Sequence, residues 1–225
     1  GNTISNVNVG IVVVGPTAAA DQNEIVDVGG SAVATGNMIT NYGTTGTFSG
    51  YANVSGTVNG ILVRNTRNYN ISYNTITSSV GGVTAGTLNG ILIPAFSNAP
   101  TGTLANTINN NSISLKSAVA AGGMNGISVQ ATTASTTTTL TVNNNNFSDS
   151  GHTIASSGAI NFIINASTTL NTTINNNTFT NLSVNTTGNV TFISNSVTHP
   201  AGAVTNVNNN SIVGTFAKTG AGGTV

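Results

Sequence analysis

The 225-residue sequence predicts an all-β fold of stacked coils, a parallel β-helix or β-solenoid. Three observations lead there. A turn motif centred on Asn returns every 32–37 residues, a second strand motif of the Asn-Gly-Ile type lies between its copies, and the chain is almost devoid of charge.

The first motif is an apolar residue, two polar residues, Asn, any residue, then an apolar residue. Short forms are Asn2-Thr3-Ile4 and Asn37-Met38-Ile39. Full forms are Ile71 to Ile76, Ile108-Asn109-Asn110-Asn111-Ser112-Ile113, Val142 to Phe147, Ile174 to Phe179 and Val207 to Ile212. The closing apolar positions are 4, 39, 76, 113, 147, 179 and 212, with separations of 35, 37, 37, 34, 32 and 33. The second motif reads Val58-Asn59-Gly60-Ile61, Leu88-Asn89-Gly90-Ile91 and Met124-Asn125-Gly126-Ile127. Weaker copies run over Gly158 to Ile163 and Gly188 to Ile193, and Val9 to Val13 is the first.

Each unit thus carries two β-branched, apolar strands separated by Gly, Thr, Ser and Asn. Within a strand the period is 2, so Asn74 and Ile76 share one face and Thr75 and Thr77 the other. A pair of short strands cannot bury itself. Equivalent strands of successive units, stacked ~4.8 Å apart, enclose a continuous core. Ile, Val and Phe then form inner columns. Asn37, Asn74, Asn111, Asn145, Asn177 and Asn210 form a side-chain ladder at a corner, where Asn also tolerates the left-handed backbone a tight turn needs.

The turn Asn followed by an apolar residue, together with the Gly-Ile strand start, resembles the right-handed parallel β-helix superfamily, the pectate-lyase-like solenoids. The resemblance covers nearly the whole chain and implies a right-handed β-helix of about six coils. The handedness also follows the rule for parallel crossovers. Lyases, hydrolases, phage spikes and adhesins share this fold, so it implies no single activity. In composition and repeat the chain resembles segments of large bacterial surface and secreted adhesins.

We read residues 1–225 as one solenoid segment cut mid-repeat at both ends, with residues 16–30 as an irregular acidic excursion. The tail Gly220 to Val225 resembles Val83 to Leu88, which precedes Asn89-Gly90-Ile91. The expected partners are therefore neighbouring coils of a longer chain or copies stacked end to end. With four basic and four acidic residues the formal charge is zero, which gives no footprint for nucleic acid or an anionic membrane surface. No apolar run reaches the ~20 residues of a membrane span. The absence of Cys excludes disulfides, thiolate metal sites and a Cys nucleophile.

Candidate sites are few. Asp21, Glu24 and Asp27 could offer clustered oxygen ligands to Ca²⁺, although their spacing matches no known Ca²⁺ loop and a solvated excursion is the stronger reading. Asp149, His152 and His199 are the components of a nucleophilic relay, but loop His residues are mostly solvated. Glycoside hydrolysis needs two opposed carboxylates, and only Asp149 lies outside the acidic cluster. Tyr42, Tyr51, Tyr69 and Tyr73 are expected to be more exposed than the phenylalanines and could stack on sugars, against a stronger reading as loop packing. The pairs flanking Ile4, Ile76, Ile113 and Phe179 form an outward hydroxyl column resembling the Thr arrays of ice-binding solenoids, interrupted at Met38, Asn146 and Val213.

The expectation is a non-enzymatic, extracellular or cell-surface bacterial protein with no cofactor: a stiff rod or filament unit that spaces or displays binding surfaces. A carbohydrate-binding or carbohydrate-active β-helix, recognising surface glycans, is the first alternative. An ice-binding solenoid is the second.

Overall fold

In a computed structural model of the chain, strands of successive coils pair in parallel and build a β-solenoid of about five turns. The structure describes residues 1–18, 22–43, 58–81, 86–96, 102–130 and 138–225. Sheet A has seven strands: β1 (Thr3–Ser5), β4 (Met38–Tyr42), β7 (Thr75–Ser78), β10 (Ser112–Ser114), β14 (Asn146–Ser148), β18 (Thr178–Val184) and β21 (Ser211–Lys218). Sheet B has six: β2 (Ile11–Val14), β5 (Val58–Arg64), β8 (Leu88–Ile93), β12 (Met124–Val129), β16 (Ile160–Asn165) and β19 (Val190–Asn195). Sheet C also has six: β3 (Asn23–Gly29), β6 (Thr66–Ser72), β9 (Leu104–Asn109), β13 (Thr138–Asn143), β17 (Asn171–Asn175) and β20 (Val204–Asn208). A short pair, β11 (Lys116–Ser117) and β15 (Gly151–His152), extends two coils beyond sheet A.

The chain passes from sheet B to C to A in each coil, so a full coil carries three strands rather than the two expected. The reason lies in the Asn motif, which is a corner and not one strand. Ile108 and Asn109 end β9, whereas Ser112 and Ile113 belong to β10. The segment 16–30 also differs from expectation: β3 occupies residues 23–29 and pairs in register with β6. The departure from the coil comes later, at Gly30 to Gly36, where Val33–Thr35 form a single 3-10 turn.

The core follows from the register. In sheet A, Ile4, Ile39, Ile76, Ile113, Phe147, Phe179 and Ile212 stand one above the other. In sheet B, Ile61, Ile91, Ile127, Ile163 and Ile193 do the same. Each step aligns like side chains, which removes apolar surface from water on both neighbours. The later coils carry an aromatic stack, with Phe147 and Phe179 parallel at 5.4 Å and Phe162 against Phe147 edge-on at 5.7 Å. The two-residue alternation breaks at Gly126, beside which both Phe147 and Ile127 face the core. A Cβ on Gly126 would lie 2.5 Å from the Phe147 ring.

Candidate functional site

The most ordered constellation in the molecule is the asparagine ladder. Asn37, Asn74, Asn111, Asn145 and Asn177 are buried, and each stands one coil from the next. The Oδ1 of Asn111 accepts from the backbone N–H and the Nδ2 of Asn74, both at 3.0 Å. Asn111 donates the same way to Oδ1 of Asn145, and so on down to Asn210. Asn2 continues the series above Asn37. The second Nδ2 proton goes to a carbonyl one coil back, that of Ile71 for Asn111 and of Ile108 for Asn145, both at 2.9 Å. Both donors and both acceptor sites of the Asn74, Asn111, Asn145 and Asn177 carboxamides are therefore used, which is what permits full burial of so polar a group.

The ladder residue does not itself turn the corner. Left-handed backbone falls one residue earlier, at Tyr73, Asn110, Asn144, Asn176 and Asn209, with φ between 55° and 61°. This corrects the expectation that one Asn fills both roles. The residue before that has a third role, since Oδ1 of Asn109, Asn143 and Asn175 accepts the backbone N–H of Asn143, Asn175 and Asn208. A run of three Asn is thus a capping acceptor, a left-handed turn and a ladder rung in sequence.

A second side-chain ladder lies outside the sequence expectation. Asn89, Asn125 and Asn161 donate from Nδ2 to Oδ1 of Asn59, Asn89 and Asn125 at 2.9, 2.9 and 3.0 Å. The repeated Asn of the Asn-Gly-Ile motif is the signal that could reveal it. Another feature missed from sequence is polar substitution inside a core column, where Asn165 and Asn195 follow Ile93 and Val129. Asn165 satisfies its amide through Asn195 at 2.7 Å and through the backbone N–H of Ser167 at 3.0 Å.

The relay candidates are not assembled. Asp149 has a left-handed backbone and an exposed side chain that accepts from Lys116 Nζ at 2.6 Å. His152 is buried, three residues further along the chain, and neither ring nitrogen has a hydrogen-bond partner among the described residues. Burial lowers its pKa, partly offset by the nearby Gly158 and Ser117 backbone. His199 lies at the corner between sheets B and C, its Nδ1 3.1 Å from the Thr169 carbonyl and its Nε2 3.4 Å from Asn195 Nδ2.

Of the acidic cluster, Asp21 lies outside the described residues and nothing is described of the Glu24 side chain, while Asp27 is exposed. No group of three His, Cys, Asp or Glu converges among the described residues. The tyrosines divide. Tyr42 and Tyr69 are 0% and 2% exposed, which corrects their expected exposure. Tyr42 donates its hydroxyl to the Asn89 carbonyl at 2.8 Å, and burial raises the pKa of both phenols. Tyr51 lies outside the described residues. Tyr73 is half-buried and lines an open groove with Asp27, Asn70, Ser72, Asn109 and Asn110.

The outward column of sheet A is in register. Thr75, Ser112, Asn146, Thr178 and Ser211 form one row; beside it Thr77 pairs with Ser114, and Ser148, Thr180 and Val213 pair in series. Asn146 ties two threonines together, accepting from the Oγ1 of Thr178 and of Thr180 at 3.0 and 2.8 Å. No family model, curated protein or solved structure matches the chain.

Proposed function

We propose that the chain is a structural segment, a stiff and nearly neutral rod that spaces or presents surfaces outside the cell, and that it is not an enzyme. The observation that carries this reading is the ladder. Hydrogen bonds from buried carboxamides join every coil to the next, so bending or opening one interface breaks a cooperative series rather than one contact. Charge is scarce for a compatible reason. A like charge repeated every ~4.8 Å along a column is costly, whereas stacked amides, hydroxyls and aliphatics are mutually favourable.

Two further observations support the reading. The dispersed positions of Asp149, His152 and His199 offer no relay. The strands β20 and β21 are largely exposed, with Val207 and Ile212 at 43% and 50%, and Asn210 donates one carboxamide bond where interior rungs donate two. Such a surface suits a further parallel coil, from the same chain or from another copy.

Excising one coil tests the proposal. Asn111 and Asn145 are 34 residues apart. Deleting residues 111–144 sets Asn145 on Asn74, and a rod tolerates the loss. The expected result is a folded, protease-resistant protein about one coil step, ~4.8 Å, shorter by small-angle scattering. Collapse of the fold, or a polysaccharide-cleaving activity abolished by the deletion, would overturn the rod reading.

A further inference from the structure

At the corner between sheets C and A the coils repeat one solution. Asn110, Asn144, Asn176 and Asn209 take the left-handed backbone that joins the two sheets, and Asn is among the side chains that adopt it most readily. Two coils depart from this rule, the first through an excursion at Gly30 to Gly36 and the next through Tyr73, which holds φ 61° in the equivalent place. The equivalence is fixed by the pairing, since the Tyr73 N–H donates to the Asn109 carbonyl as the Asn110 N–H does to Asn143. A bulky aromatic here is a strained choice, and strain of this kind concentrates at binding sites.

The coil before that of Tyr73 differs at the same corner in a second, independent way. There, one coil from Tyr73, the chain leaves the solenoid between Gly30 and Gly36 and forms the 3-10 turn at Val33–Thr35. Thr35 fastens that turn, accepting at Oγ1 from the Ser31 and Ala32 N–H groups, both at 3.2 Å. The excursion returns directly against Tyr73: a Cβ on Gly36 would stand 1.7 Å from the Tyr73 carbonyl oxygen. It walls an open groove of about 550 Å³ that crosses three coils, with Asp27, Asn70, Tyr73 and Asn110 among its lining.

The groove is mixed in chemistry. It offers one aromatic face, one exposed carboxylate and several amides. Oδ1 of Asn70 accepts from Ser72 Oγ and Thr107 Oγ1 at 2.6 and 2.7 Å, which orients its Nδ2 as a donor. A single carboxylate is too few for a hard cation, and an apolar ligand would strand these polar groups. We propose that this groove is a saccharide-binding subsite for a neutral glycan, with a sugar ring stacked on Tyr73 and its hydroxyls bonded by Asp27, Asn70 and Asn110. The site needs no catalysis and stands independently of the rod reading.

The test uses the purified chain and three neutral probes, maltohexaose, cellohexaose and chitohexaose, by saturation-transfer NMR and titration calorimetry. The wild type is expected to bind at least one of them. Tyr73→Asn restores the residue used in four other coils, so it keeps or raises the melting temperature while weakening binding at least tenfold. Asp27→Ala, on an exposed side chain, weakens it severalfold and serves equally if the first variant does not fold. No binding of any probe by the wild type, or unchanged affinity in the variants, overturns the proposal.

Discussion

Replacing Asn111 by Leu removes one rung from the middle of the ladder. Oδ1 of Asn111 accepts two bonds from Asn74, and its Nδ2 donates to Asn145 and to the Ile71 carbonyl. The backbone N–H of Asn111 still reaches Asn145. The substitution therefore strands the Asn74 N–H and one Asn74 Nδ2 proton, in a region where Asn74 is 1% exposed. At about 2 kcal/mol for each of these two buried unpaired groups, offset by up to ~2 kcal/mol from burying the Leu side chain, the net loss is about 2–4 kcal/mol. Urea unfolding followed by circular dichroism measures it, with the slope checked for change. Asn110→Gly is the matched control, because Gly accepts φ 58° without strain and the ladder stays intact. A loss below about 1 kcal/mol for Asn111→Leu, or a loss equal to that of the control, would refute the ladder argument.

Other outcomes follow from the same geometry. Gly126→Ala sets a Cβ 2.5 Å from the Phe147 ring and from the Phe162 carbonyl oxygen, so thermal melting should report a loss of about 1–3 kcal/mol. Asn144→Val places a β-branched residue at φ 56° and should destabilise by about 1–2 kcal/mol, with Asn144→Gly near neutral. His152 is a base with a lowered folded pKa, so the unfolded chain binds the proton more readily. Its contribution to stability is complete above about pH 6.5, falls as the pH drops below that, and levels off under the folded value. Melting curves from pH 8 to 5 should show this slope in the wild type and a shallower one in His152→Gln. Lys218 donates to the carbonyls of Thr186, Gly220 and Gly222, so Lys218→Met should speed amide exchange across residues 220–225.

The fold was legible because stacking imposes the same demand on every coil. The separations counted from Ile4 to Ile212 reappear as the spacings between ladder partners, from 35 for Asn2 and Asn37 to 33 for Asn177 and Asn210. The corner was less legible. Ile174-Asn175-Asn176-Asn177 reads as a strand with polar residues, yet its three amides have three physical roles that composition does not separate. The third strand per coil was hidden for the same reason, since the corner motif contributes its two halves to different sheets. The burial of Tyr42 and Tyr69 was hidden because loop-like surroundings in sequence say nothing about which residues the next coil covers. The groove beside Tyr73 was half visible. A Tyr where other units carry Asn could be noticed, but its left-handed backbone and the wall from Gly30 to Gly36 arise from tertiary placement.

The central claim is that parallel coils are joined through buried carboxamides in register, and a crystal structure of the chain tests it most directly. Asn74, Asn111, Asn145 and Asn177 are expected to stack in consecutive coils, with the Oδ1 of Asn111, Asn145 and Asn177 about 3.0 Å from the backbone nitrogen of the ladder residue before it. Carboxamides turned to solvent, or strands β7, β10 and β14 paired in any other register, would contradict it.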